Sequence, residues 1–258
     1  MIDESILFAL LLTTLAGLST GIGSAIAYFI KKPKVIYLSL SLGFSAGVMI
    51  YISFVELLPN ALENIGQFWG VTAFFIGILV IGIIDIFIPE EINPHHFTQI
   101  VKNTNSKTNA KLMRTGMFTA LAIAIHNFPE GLATFGTALT NVKLGIMIAI
   151  AIAIHNIPEG ISVSMPIYYA TNNRNKAFVY SFLSGIAEPI GAMIGFLILM
   201  PFLSDILLSS MLAFIAGIMV YISIDELLPM AYQYGHNHTV ILGFIAGMLV
   251  MALSLLML

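Results

Sequence analysis

The sequence predicts an all-α, polytopic membrane protein with eight transmembrane helices, helices 1–3 and 6–8 forming an inverted repeat around a central pair, helices 4 and 5. Three observations carry that prediction: the length of the apolar stretches, the alternation of basic loops, and two internal repeats. The 258 residues are 59% hydrophobic and only 9% charged. Charge-free runs therefore exceed the roughly 20 residues that a helix needs to cross a hydrocarbon core, which excludes a soluble domain. Residues 1–258 read as one transmembrane domain. The first apolar run follows Asp3 and Glu4 with no basic leader before it, so a permanent helix is expected there rather than a cleaved signal.

Cutting at charged and turn-rich segments leaves spans at roughly 5–30, 36–58, 68–88, 114–138, 144–169, 177–201, 207–230 and 239–258. Of the ten basic residues, nine fall in alternate loops: Lys31, Lys32 and Lys34 after span 1, Lys102, Lys107, Lys111 and Arg114 after span 3, and Arg174 and Lys176 after span 5. Only Lys143 lies in a loop of the other set. The positive-inside bias then places both termini on the extracytoplasmic side. The longest loop, 89–113, is polar, contains His95 and His96, and is read as cytoplasmic and mobile. The net charge of −3 and the lack of a basic block give no nucleic-acid partner.

The segment AGVMIYISFVELLPNA at 46–61 recurs as AGIMVYISIDELLPMA at 216–231, with 11 of 16 positions identical. The copies lie on spans 2 and 7, so they cross the bilayer in opposite directions. That is the mark of an inverted repeat, which in many transporters sets the substrate site near the midplane. A second repeat, LAIAIHNFPEG at 121–131 and IAIAIHNIPEG at 150–160, occupies the adjacent, antiparallel spans 4 and 5.

Within each HNxPEG motif the histidine and glutamate lie four residues apart, about 40° round a helix and one turn from each other. His126 with Glu130, and His155 with Glu159, are therefore expected as ligand pairs, with Asn127 and Asn156 offering amide oxygens about 60° from their glutamates. An acid at mid-membrane costs about 3 kcal/mol or more. No lysine or arginine lies at that depth, which leaves a cation as the natural partner. Pro129 and Pro158 free the carbonyls of Ile125 and Ile154, and Gly131 and Gly160 permit close approach, features tolerated at depth only where they are buried or line a cavity. Glu188, followed by Pro189 and Gly191 in span 6, is the natural completing ligand. Three carboxylates, two imidazoles and two amides, with no cysteine in the chain, suit zinc, ferrous iron, manganese, cobalt or cadmium better than cuprous copper or alkali ions. Proton competition for these ligands would make binding pH-sensitive.

The HNFPEG and HNIPEG motifs, AEPIGA at 187–192 and the paired AGVMIYISFVELLP and AGIMVYISIDELLP helices resemble the ZIP (Zrt/Irt-like) family of metal transporters, in its bacterial ZupT-type branch. The resemblance covers essentially the whole chain. It implies zinc uptake into the cytoplasm, with ferrous iron, manganese, cobalt and cadmium as further ions and one helix bundle moving against the other. It also implies a bacterial inner membrane, no prosthetic group, and a fold compatible with a homodimer. By matching motifs, one metal site would use His126, Glu130, His155 and Glu159, with Met49 as a neighbour from helix 2. The adjoining site would use Asn127, Glu130, Asn156, Glu159 and Glu188. Some relatives carry aspartate where this chain has Asn156, so the second site here has one charge fewer.

Other polar residues admit two readings. Glu56, at the outer end of helix 2, and Asp225 with Glu226, at the inner end of helix 7, are either vestibules that attract cations or interfacial acids. Met49 and its repeat partner Met219 fit core packing as well as soft ligation. His95, His96, His236 and His238 either collect metal or are solvated loop residues. The small residues around Gly17, Gly21 and Gly23 and around Gly43 and Gly47 read as helix-packing surface. Rival functions are an intramembrane zinc-dependent hydrolase and a nontransporting metal sensor. The first lacks an HExxH motif and an obvious water position beside a dedicated base.

Overall fold

A computed structural model describes residues 4–29, 35–87, 106–199, 202, 204–234 and 237–257. Among these residues every regular element is helical: α1 (Glu4–Phe29), α2 (Val35–Ile52), α3 (Leu58–Ile65), α4 (Gln67–Phe87), α5 (Ser106–Thr140), α6 (Val142–Thr171), α7 (Arg174–Ile194), α8 (Asp205–Ile222), α9 (Leu228–Tyr234) and α10 (Asn237–Met257). Seven stretches are long and apolar enough to cross a membrane, as a multi-pass membrane protein requires. The 35-residue α5 is not among them, because its first turns are polar and its HNFPEG segment interrupts the apolar run.

Spans 2 and 7 run further than their sequence pattern suggests. Each passes through a wide π-helical turn, Ser53–Leu57 and Ser223–Leu227, and continues as α3 and α9. Pro59 sits in the first turn of α3, directly after the π turn, and has no N–H to give to the helix ladder there. The polar loop expected over 89–113 is shorter on its C-terminal side, since 106–113 already belongs to α5. His95, His96 and His236 lie outside the described residues, and His238 is exposed in the first turn of α10.

Elements recur at a spacing of 170 residues: the π turn Ser223–Leu227, with α8 ending at Ile222 and α9 starting at Leu228, matches the π turn Ser53–Leu57, with α2 ending at Ile52 and α3 starting at Leu58. Packing follows the same spacing: α2 lies on α10 as α4 lies on α8. Gly47 meets the Phe244 carbonyl just as Gly217 meets that of Phe74. Bare glycines let backbones touch, and van der Waals contact drives helix association where lipid is as apolar as leucine.

Packing divides the helices into two groups. One contains α1, α5, α6 and α7, and the other α2, α3, α4, α8, α9 and α10, the two meeting where α2 faces α6 and α5 faces α8. The buried seam between them includes Leu42, Met49, Ile52, Ile148, Ile152, Leu212, Ile215 and Met219. Asn141 alone separates α5 from α6, and its side chain accepts the Leu144 N–H at 3.1 Å to cap the new helix. This tight antiparallel turn brings the two HNxPEG motifs side by side.

Candidate metal centre

α5 and α6 stay helical through Pro129 and Pro158. Gly131 lets α5 lie against the Glu188 backbone of α7, and Gly191 makes the return approach to the Phe128 carbonyl. Gly160 brings α6 onto the Thr20 carbonyl of α1. The Gly160 carbonyl also accepts the Ser164 hydroxyl at 2.6 Å and the Ser181 hydroxyl at 2.8 Å, serving α6 and α7 together. Close backbone contact at this level converts a sequence pattern into one buried layer of side chains.

That layer contains all seven residues singled out on helices 4, 5 and 6: His126, Asn127 and Glu130 on α5, His155, Asn156 and Glu159 on α6, and Glu188 on α7, none more than 1% exposed. The closest pairs cross between the helices. His126 Nε2 meets Glu159 Oε1 at 3.1 Å and His155 Nε2 meets Glu130 Oε2 at 3.4 Å, while the same-helix pair His155 and Glu159 stands at 4.0 Å. Helical spacing correctly puts each His and Glu on one face; which glutamate each imidazole meets is decided by the antiparallel docking of α5 on α6. As they stand, the described residues include no group of three or more His, Asp or Glu placed round one centre; imidazole and carboxylate instead pair two by two, His126 with Glu159 and His155 with Glu130. The spacings nevertheless suit an inserted ion: a tetrahedral zinc with bonds of about 2.0–2.1 Å holds neighbouring ligand atoms about 3.3–3.4 Å apart.

Both asparagines are oriented by their amide nitrogens. Asn156 Nδ2 donates to the Ala16 carbonyl at 3.1 Å and to Glu188 Oε2 at 2.7 Å, and Asn127 Nδ2 donates to the Ser184 carbonyl at a long 3.5 Å. Their oxygens are left over, and so are other atoms of the layer. Asn127 Oδ1, Asn156 Oδ1, Glu130 Oε1, Glu159 Oε2, Glu188 Oε1 and the Nδ1 atoms of His126 and His155 are buried without a hydrogen-bond partner among the described residues. Five of these seven atoms are pure acceptors, and an unmet buried acceptor costs about 1–3 kcal/mol, more when charged. A donor-poor pocket of acceptors is what a cation satisfies.

The outlying candidates separate. Met49 is fully buried in the seam and accepts the Ser45 hydroxyl at 4.0 Å. Glu56 is not a helix-end acid but part of the first π turn, where it accepts from Asn60 Nδ2 at 3.3 Å. Glu226 likewise lies within the second π turn rather than at the end of its helix and is only 7% exposed, within electrostatic reach of His126, Asp225 and Asp85. Asp85 escaped the sequence reading. The Tyr221 hydroxyl donates to its Oδ2 at 3.3 Å, and the signal was a lone acid inside the apolar run GIIDIF. Glu130 also borders a narrow apolar pocket with Ile52, Leu57, Ile152, Leu212 and Met219.

Residues 89–255 match the family model described as ZIP zinc transporter, well over half the chain. The chain belongs to the ZIP zinc transporter family. It is 58% identical to the zinc transporter ZupT of Chlorobium phaeovibrioides, over 97% of each chain. It is 54% identical to that of Clostridium perfringens, over 98% of this chain and 97% of the relative, and 54% identical to that of Streptococcus mutans, over 99% of each. The ZIP match spans α5, α6 and α7, and the full-length likeness extends it to α1, whose Ala16 carbonyl anchors Asn156. Membership of a transporter family sets aside the hydrolase alternative.

Proposed function

We propose that this chain carries divalent metal ions, zinc foremost, into the cytoplasm, binding them at the two HNxPEG motifs of α5 and α6 completed by Glu188 of α7. The observation that carries the proposal is the buried layer itself: seven side chains on three packed helices, each with a heteroatom that no hydrogen-bond partner meets among the described residues. Nitrogen and oxygen ligands without sulfur suit zinc, and they leave ferrous iron, manganese, cobalt and cadmium as further cargo. The ZupT relatives, named for zinc, support the same choice. His126, Glu130, His155 and Glu159 form one site; Asn127, Asn156 and Glu188 join the two glutamates in a second position beside it.

Eight crossings, the seven apolar stretches together with α5, put both termini on the extracytoplasmic side of a bacterial inner membrane when the basic loops face inward. The spacing of 170 residues between α1–α4 and α7–α10 supports an inverted repeat around α5 and α6. Transport proceeds as the group α1, α5, α6 and α7 moves with its ion against the remaining helices. The apolar seam supports this reading, since its side chains, Met49, Ile52, Ile148, Ile152, Leu212 and Met219 among them, are hydrocarbon or thioether and offer a surface along which the groups can slide. Glu226, with Asp85 and Asp225, lies on the route between His126 and the inner face.

Time-resolved zinc uptake into proteoliposomes, with ferrous iron, manganese and cadmium as competitors, tests the proposal. Saturable uptake by the parent, absent from a folded Glu130→Ala/Glu159→Ala variant, is the expected result. Tight metal binding without any flux would instead make the chain a metal sensor.

A further inference from the structure

Where α1 ends, α6 ends and α7 begins, Tyr28, Tyr168, Thr171, Asn173, Arg174 and Asn175 line a polar recess of about 450 Å³. The Arg174 guanidinium carbon lies 5.9 Å from the Tyr28 ring centre and 5.5 Å from that of Tyr168, so both rings hold the cation. Attraction to the ring faces consumes none of the guanidinium N–H donors, which stay available for an oxyanion. Arg174 forms no ion pair among the described residues, and none of the residues lining the recess is acidic. Lys176, close by on α7 with its ammonium 6.0 Å from the Tyr180 ring, adds a second positive charge.

Just along the same two helices the chemistry changes. Ile22 and Ile26 of α1 and Val179 and Leu183 of α7 are all more than 40% exposed. These helices pack together, with Gly21 against the Phe182 ring. A guanidinium flanked by tyrosines thus stands at the head of an apolar surface that faces acyl chains, the usual place for tyrosine at a membrane interface.

We infer that this recess binds the phosphodiester headgroup of an anionic phospholipid, Arg174 supplying the charge-assisted bonds and Lys176 a supporting charge, with the acyl chains lying along α1 and α7. The bound lipid would brace the ends of three helices of the group that carries His155, Asn156, Glu159 and Glu188. Assignment to the cytoplasmic leaflet rests on the orientation proposed above; the binding does not.

The test is native mass spectrometry of the delipidated full chain, titrated with phosphatidylglycerol or with phosphatidylcholine of the same acyl length. The expected result is at least about fivefold tighter binding of phosphatidylglycerol, the order of effect of one interfacial basic residue. Arg174→Gln is expected to bring the two lipids within twofold, while Lys143→Gln, at the opposite end of α6, leaves the preference intact. Tyr28→Leu keeps the charge but releases the clamp, and is expected to lower the preference at least about twofold. Equal binding of both lipids by the parent, or an undiminished preference in Arg174→Gln or Tyr28→Leu, overturns the inference. Displacement of phosphatidylglycerol by millimolar inorganic phosphate would make this a soluble-anion site and overturn it as well.

Discussion

Replacing Gly131 by alanine tests whether backbone contact between α5 and α7 sets the metal geometry. The added methyl would stand 2.6 Å from the Glu188 carbonyl carbon and 2.8 Å from its Cα, atoms that no side-chain rotation can move. Carbon atoms settle at about 3.5–4.0 Å, so the two helices must part by about 1 Å at this level. Glu130 immediately precedes the substituted residue and Glu188 owns the opposing backbone, so one step displaces two of the proposed ligands. Coordination distances tolerate only about 0.2 Å, so the parting is several times what the site can absorb. Zinc affinity, read by competition with a fluorescent chelator, is expected to fall about 10–100-fold, the range seen when the support of a metal ligand is lost. Overpacking should cost about 1–3 kcal/mol of stability. Gly21→Ala is the matched control, because its methyl would meet the Phe182 ring at 3.1 and 3.4 Å and a ring can give way. Its affinity should stay within about threefold of the parent, as expected when only a flexible neighbour is displaced. Parental affinity in Gly131→Ala, or an equal loss in Gly21→Ala, would refute this reasoning.

Two further substitutions bear on the ligand set. Asn156→Asp removes the amide donor from Glu188 and sets a second carboxylate where Nδ2 now stands 2.7 Å away. The zinc-free protein should lose about 1–3 kcal/mol, and zinc should narrow that gap by binding between the charges; a gap that zinc leaves unchanged would count against a shared second position. Met49→Leu keeps the buried volume and loses only the thioether with its Ser45 contact. It should cost less than about 1.5 kcal/mol and leave the ratio of cadmium to zinc uptake unchanged, whereas a selective loss of cadmium would make Met49 a ligand.

The polar layer was legible because charge is costly in an apolar span: two copies of HNxPEG and a lone Glu188 stand out against isoleucine and alanine, and all seven residues are buried. The repeat was legible as 16 residues, and the same spacing of 170 residues reappears in the paired π turns and in the seating of Gly47 on Phe244 and Gly217 on Phe74, contacts that a single-chain pattern does not reveal. Partner choice was not legible. A helical wheel puts His126 and Glu130 on one face, but the contact of His126 with Glu159 depends on how α5 docks against α6. The anchors of the asparagines are the Ala16 and Ser184 carbonyls, backbone groups that every residue possesses. Glu56 and Glu226 occupy equivalent positions in nearly identical segments, yet only Glu226 is buried, a difference that comes from the helices packed around each copy. The π turns had no signature beyond the repeat that contains them.

The most direct test of the central claim is zinc K-edge X-ray absorption on the full chain loaded with one equivalent of zinc, compared with His126→Ala. The crossed site predicts a first shell of nitrogen and oxygen at about 2.0–2.2 Å, with outer scattering from two imidazoles in the parent and from one in the variant. A sulfur shell at about 2.3 Å, or imidazole scattering unchanged by His126→Ala, would place the metal elsewhere and contradict the account.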